Sequence, residues 1–166
     1  MTGISAQGSV IIHSAPRALV PHIEWAIGRL LGGPITIHWM PQPLAPGSLR
    51  ANYSWQSDES FGASLASELI GWGAIRFEII QDQALQADGW RWAYTPHLGL
   101  FQSQMDSLGS ALVTEHRMRD ILDEPGLNVA DLQSKFLAAI GQPWDEELES
   151  FRVAGADAPV IWLKSV

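Results

Sequence analysis

The first half of the chain switches twice between the two-residue period of a strand and the 3.6-residue period of a helix. This restricts the fold more than any other feature. Alternating apolar and polar side chains mark strands over 9–14, 35–40, 49–56 and 75–81. Leu49, Ala51, Tyr53 and Trp55 share one face of the third strand, and Arg50, Asn52, Ser54 and Gln56 the other. Ile75, Phe77 and Ile79 oppose Arg76 and Glu78 in the same way, and Ile35, Ile37 and Trp39 oppose Thr36 and His38. After the first strand, Ile23, Ala26, Ile27, Leu30 and Leu31 form one apolar stripe, which predicts a helix over about 21–31 with Pro21 in its first turn and Gly32-Gly33-Pro34 ending it. Phe61, Leu65, Leu69 and Trp72 repeat the pattern over about 61–72. The order is therefore βαββαβ. Strands with one clean polar face belong to a sheet covered by helices on one side. Two right-handed crossovers then give a ferredoxin-like plait, an α+β fold, over about residues 9–82 with strand order 4-1-3-2.

Beyond residue 82 the pattern loosens. A hairpin is expected from 90–94 and 100–104, joined by a turn at 95–99. A helix over 115–123 starts at a Thr114 cap, with Met118, Ile121 and Leu122 inward. Another begins at Asn128, where Asp131 three residues on resembles a capping box, and carries Val129, Leu132, Phe136 and Ile140 on its apolar side. Gly141-Gln142-Pro143 stops it, and a short helix with acids in its first turn opens at Trp144. Val160-Ile161-Trp162-Leu163 reads as a final strand. No disordered linker separates the halves. The expectation is one domain over 1–166, a core at 9–82 and an extension at 84–166 packed on it.

Composition narrows the function. With 166 residues a core needs no covalent staples, and the absence of cysteine excludes disulfides, thiolate metal sites and cysteine nucleophiles. The net charge of -8 works against nucleic acid, whose phosphates reward lysine and arginine. The acidic excess sits mostly after residue 83, with twelve acids against six bases there and six against four before it. That is a solvated surface in the plain reading, or a face for a basic partner in the sharper one. The start carries no basic region followed by an apolar run, and no stretch approaches the roughly 20 apolar residues of a membrane span. A soluble cytoplasmic protein is expected.

No catalytic motif is present: no HExxH, GxSxG, Walker A loop or GxGxxG. Three constellations remain. On the polar sheet face, plait order brings His13 towards Glu78 across one ladder and towards Asn52 or Ser54 across the other, with His38 a strand further and Arg50 beside it. A histidine–carboxylate pair there could act as a general base or hold a ligand, or be an ordinary cross-strand pair. The junction Ser14-Ala15-Pro16-Arg17, with His22 in the following turn, could hold an anion at a helix start, or simply connect. Of eight tryptophans, Trp39, Trp55 and Trp72 fall at core positions. Trp90, Trp92, Trp144 and Trp162 could instead form an exposed aromatic patch, the first three as partner-binding residues, although most tryptophans are core. His13, His38 and His97 lack ligand spacing, so neither metal nor cofactor is expected.

Several runs together resemble an uncharacterised actinobacterial domain-of-unknown-function family. They are His13-Ser14-Ala15-Pro16, Pro21-His22-Ile23-Glu24-Trp25, Tyr53-Ser54-Trp55-Gln56, Tyr94-Thr95-Pro96-His97-Leu98-Gly99 and Pro143-Trp144-Asp145-Glu146-Glu147-Leu148-Glu149. The resemblance spans nearly the whole chain in order. It transfers no catalytic residue, and it implies a cytoplasmic protein associated with type II fatty-acid synthesis.

The leading expectation is a non-catalytic binding or regulatory protein that works through a protein partner or as a homo-oligomer. On it, Trp144→Ala weakens a partner complex more than it lowers the melting temperature. The alternative is a small-molecule site for an acidic or acyl metabolite, enzymatic or sensory, around His13, His38, Arg50 and Glu78. Burial separates the two: a closed pocket favours the ligand, and a flat wet face removes it.

Overall fold

The computed structural model describes residues 6–82 and 88–155. The expected final strand over 160–163 lies outside the described residues. The strands are β1 (Ala6–Pro16), β2 (Met40–Pro41), β3 (Ser48–Ser57), β4 (Arg76–Gln81), β5 (Gly89–Thr95), β6 (Gly99–Met105) and β7 (Ala111–Leu112). The helices are α1 (Val20–Leu31), α2 (Gly62–Ile70), α3 (Glu115–Leu122), α4 (Val129–Ala139) and α5 (Gln142–Ala154). All strands pair antiparallel in one sheet of order β2-β3-β1-β4-β5-β6-β7.

β1 lies between β3 and β4, the neighbours that the βαββαβ order demands. The α+β class therefore holds, but the sheet continues through the hairpin into β5, β6 and β7 and is larger than a plait. The apolar stripes of both first-half helices meet it as their spacing requires. Ile23, Ile27, Leu65 and Leu69 pack on Val10, Ile12, Phe77, Ile79 and Trp92 in one buried cluster. Leu/Ile→Ala at such positions costs about 2–5 kcal/mol. α1 ends where Gly32 takes a left-handed φ of 82°.

Two expectations about the first sheet strands and their cover need correction. The strand over 35–40 shrinks to the two residues of β2. One carboxylate accounts for this: Glu24 on α1 accepts from the Ile37 backbone N–H at 2.9 Å and from Trp39 Nε1 at 3.1 Å. A backbone donor that would have joined the ladder is thus bonded to the helix layer instead. Nor are the helices confined to one side of the sheet. Phe77 and Ile79 face α1 and α2, whereas Glu78 between them faces α5, whose Leu148 packs on Ala93 and Phe101. The second half both extends the sheet and roofs part of its polar face.

α3 and α4 begin as their caps predict: Thr114 accepts from Arg117 N and Asn128 from Asp131 N. Their inward faces do not follow. Ile121 is buried, but Met118 and Leu122 are exposed, α4 buries no residue, and Val129 is 83% exposed. The two helices pack chiefly on one another, and α4 on α5. α5 is also longer than the short helix expected, with Gly141 at φ 85° separating it from α4.

Candidate functional site

The polar face of β1, β4 and β5 becomes a buried ionic cluster once α5 lies over it. The register of β1 shifts around His13 against both neighbours: Ile12 pairs with Ala51 and Phe77, and pairing resumes at Ser14 on one side and Ala15 on the other. This bulge lets His13 and Ser14 both point towards α5 while Ala15 returns to the core. Buried Gln42 reaches under it, donating to the His13 carbonyl at 2.7 Å and to the Phe151 carbonyl of α5 at 3.4 Å.

Glu78 is the centre, and it is 1% exposed. His13 Nε2 lies 2.8 Å from its Oε2. Its Oε1 accepts from Arg91 of β5 at 2.5 Å and from Arg152 of α5 at 2.6 Å. Asp145 of α5 lies 2.6 Å from Arg91 and 3.7 Å from Arg152, and Glu149 lies 3.1 Å from Arg152. The acids at 145 and 149 and the base at 152 follow four- and three-residue steps, so one helical face presents all three. A second contact flanks the first. Arg76 donates to Ser14 Oγ, lies 3.4 Å from Glu147, and sits 4.6 Å from the Phe151 ring centroid, while Thr95 Oγ1 donates to Glu147 at 2.9 Å.

These surroundings decide what Glu78 can do. Burial alone pushes its carboxyl up. The hydrogen bond and charge of His13, then the guanidiniums of Arg91 and Arg152, outweigh that and hold it well below the usual carboxylate range. A carboxylate held so firmly ionised, with both oxygens engaged, is a poor general base. Burial likewise pulls Arg91 down, but Glu78 and Asp145 outweigh it and raise it. The arrangement fastens a helix to a sheet, with both oxygens of its central carboxylate engaged by protein groups.

Of the ligand candidates His13, Arg17, His38, Arg50 and Glu78, only His13 and Glu78 meet. Arg17 is exposed in the turn before α1, and His38 is exposed before β2. Arg50 is half-buried and donates through Nε to the Pro41 carbonyl at 3.3 Å. Trp92 is buried, and Trp90 is half-buried with its ring stacked 6.0 Å from that of Trp92. Trp144 packs 5.3 Å from Phe101 and donates to the Gly99 carbonyl at 2.9 Å. These three spend most of their surface on the core, whereas Trp25 on α1 is 64% exposed. Sequence reasoning missed Arg91, Arg152 and Asp145. The available signal for Arg91 was its position on the polar face of a strand between two tryptophans.

A family model described as "Protein of unknown function (DUF3145)" matches residues 9–165. No curated protein and no solved structure matches the chain.

Proposed function

The chain belongs to this DUF3145 family of unknown function, and on that premise we propose that it is a non-catalytic binding protein acting through protein–protein contacts. The observation that carries the reading is the α3–α4 hairpin. These two helices bury one residue, Ile121, between them, yet Met118, Leu122, Val129 and Ile140 are exposed. Met118 and Leu122 stand four apart on α3 and so are neighbours on one face. At the foot of the hairpin a groove of about 410 Å³ is lined by Leu100, Phe101, Leu112, Val113, Ala138 and Trp144, among others. Exposed apolar side chains on a hairpin that adds little to the core, two of them adjacent on α3 and set above an apolar-lined groove, favour an interaction surface.

The polar sheet face supports the rival reading less well. An acidic or acyl metabolite at His13 and Glu78 would have to displace α5, because the partners of the Glu78 carboxylate are protein groups. The strand order β2-β3-β1-β4 supports taking residues 9–82 as a ferredoxin-like plait that a hairpin lengthens and α5 roofs, within one domain. Two experiments decide between the readings: affinity capture from the native host, and a thermal-shift screen of acidic and acyl metabolites. A stoichiometric protein partner supports the proposal. A metabolite that raises the melting temperature, with the effect abolished by His13→Ala, overturns it.

A further inference from the structure

β3 runs through ten residues, but β2 pairs with only two of them, Arg50 and Leu49. The Gln42 N–H donates to the Ser48 carbonyl at 3.0 Å, so the even-numbered residues of β3 turn their backbone groups away from β1. Beyond Arg50, the outward N–H and C=O groups of Asn52, Ser54 and Gln56 have no strand beside them among the described residues. The segment whose pattern suits that place, from Ile35 to Trp39, is bonded to Glu24 instead. Edge strands are ordinarily guarded by charge or proline. From Ala51 to Ser57 this one carries neither.

We propose that this edge is a self-association surface, on which β3 of a second copy pairs antiparallel about a two-fold axis through Ser54. This goes beyond the partner surface on α3 and α4 and does not involve it. The sequence complements itself in that register. Ser54 meets Ser54, Asn52 meets Gln56 twice over, and each of these three pairs exchanges two backbone hydrogen bonds. Tyr53 meets Trp55 on the other face. Arg50 is itself paired with Met40 of β2, so the ladder stops one residue short of it, and the exposed Asp58 of each copy, just past the ladder, comes beside the Arg50 end of the other. Two copies of net charge -8 repel over most of their surface. An uncharged strip with opposite charges at its ends is where they can approach. A short strand pairing is a small interface by itself. The stretch from Gly33 to Trp39 joins this edge to the outer flank of α1, where Trp25 stands beside a groove of about 510 Å³ lined by Pro21, Gly28, Pro34 and Ile35, among others.

Sedimentation equilibrium of the full chain tests the pairing. The wild type is expected in monomer–dimer equilibrium. Ser54→Lys places like charges against each other at the axis, on a side chain that is exposed in the monomer, and weakens the dimer at least about tenfold. Arg50→Glu and Asp58→Arg each weaken it, and the double variant Arg50→Glu/Asp58→Arg restores it. A full chain monomeric at every concentration overturns the proposal, whatever else covers the edge, as does a Ser54→Lys dimer as tight as the wild type. Partner capture through α3 and α4 is unaffected by Ser54→Lys. A monomeric wild type that still captures its partner therefore overturns the pairing alone, and a dimer without a captured partner overturns the function alone.

Discussion

Glu78→Gln removes one charge from the centre of the ionic cluster and almost no volume. The wild-type carboxylate neutralises Arg91 and Arg152 at 2.5 and 2.6 Å. After the change Arg152 keeps Glu149, and Arg91 keeps Asp145, whose side chain is largely at the surface. Each guanidinium–carboxylate attraction is worth about 4 kcal/mol at 4 Å and an effective dielectric of 20. Two of them make about 8, against a desolvation penalty for Glu78 of several kcal/mol that the amide does not bear. The difference is roughly 3–5 kcal/mol of lost stability, the range found when one partner of a buried pair is removed. For a chain of 166 residues that lowers the melting temperature by about 10 °C. Urea titration with equal m-values for both proteins is the assay. A loss below about 1 kcal/mol, the worth of an exposed pair, would refute the reasoning and mean that α5 does not seal the cluster.

Acid should unfold the protein through the same residue. The folded-state pKa of Glu78 lies below its unfolded value, so its contribution is complete above an unfolded pKa of about 4.3 and is lost as pH falls further towards the folded one. The wild type and Glu78→Gln should therefore converge in stability below about pH 4; curves that stay parallel there contradict this. Trp144→Ala should cost stability in its own right. With the ring on Phe101 and the indole bonded to Gly99, it should cost about 2–4 kcal/mol in denaturant titration, and an unchanged midpoint would return Trp144 to the surface.

The βαββαβ order, both first-half helices and the hairpin were legible because each pattern repeats over enough residues to define one buried stripe or face. His13 beside Glu78 was legible from strand order alone. The other half of that cluster was not, because Arg152 and Asp145 reach it from a helix whose tertiary position no local pattern encodes. The loss of a full second strand has a similar cause. Ile35, Ile37 and Trp39 keep a strand's alternation, but the competitor for the Ile37 N–H is a side chain thirteen residues earlier. For α3 and α4 the caps were readable and the burial was not. Met118, Leu122, Val129 and Ile140 have the composition of a core stripe, and a pattern of apolar residues does not say whether the chain itself covers them.

Whether α3 and α4 hold a partner is read by affinity capture from the native host with the full chain and with Met118→Asp/Leu122→Asp, both substitutions being at exposed positions of α3. A stoichiometric protein is expected on the wild type and absent from the variant, at an unchanged melting temperature. The same proteins captured equally by both would contradict a partner surface there.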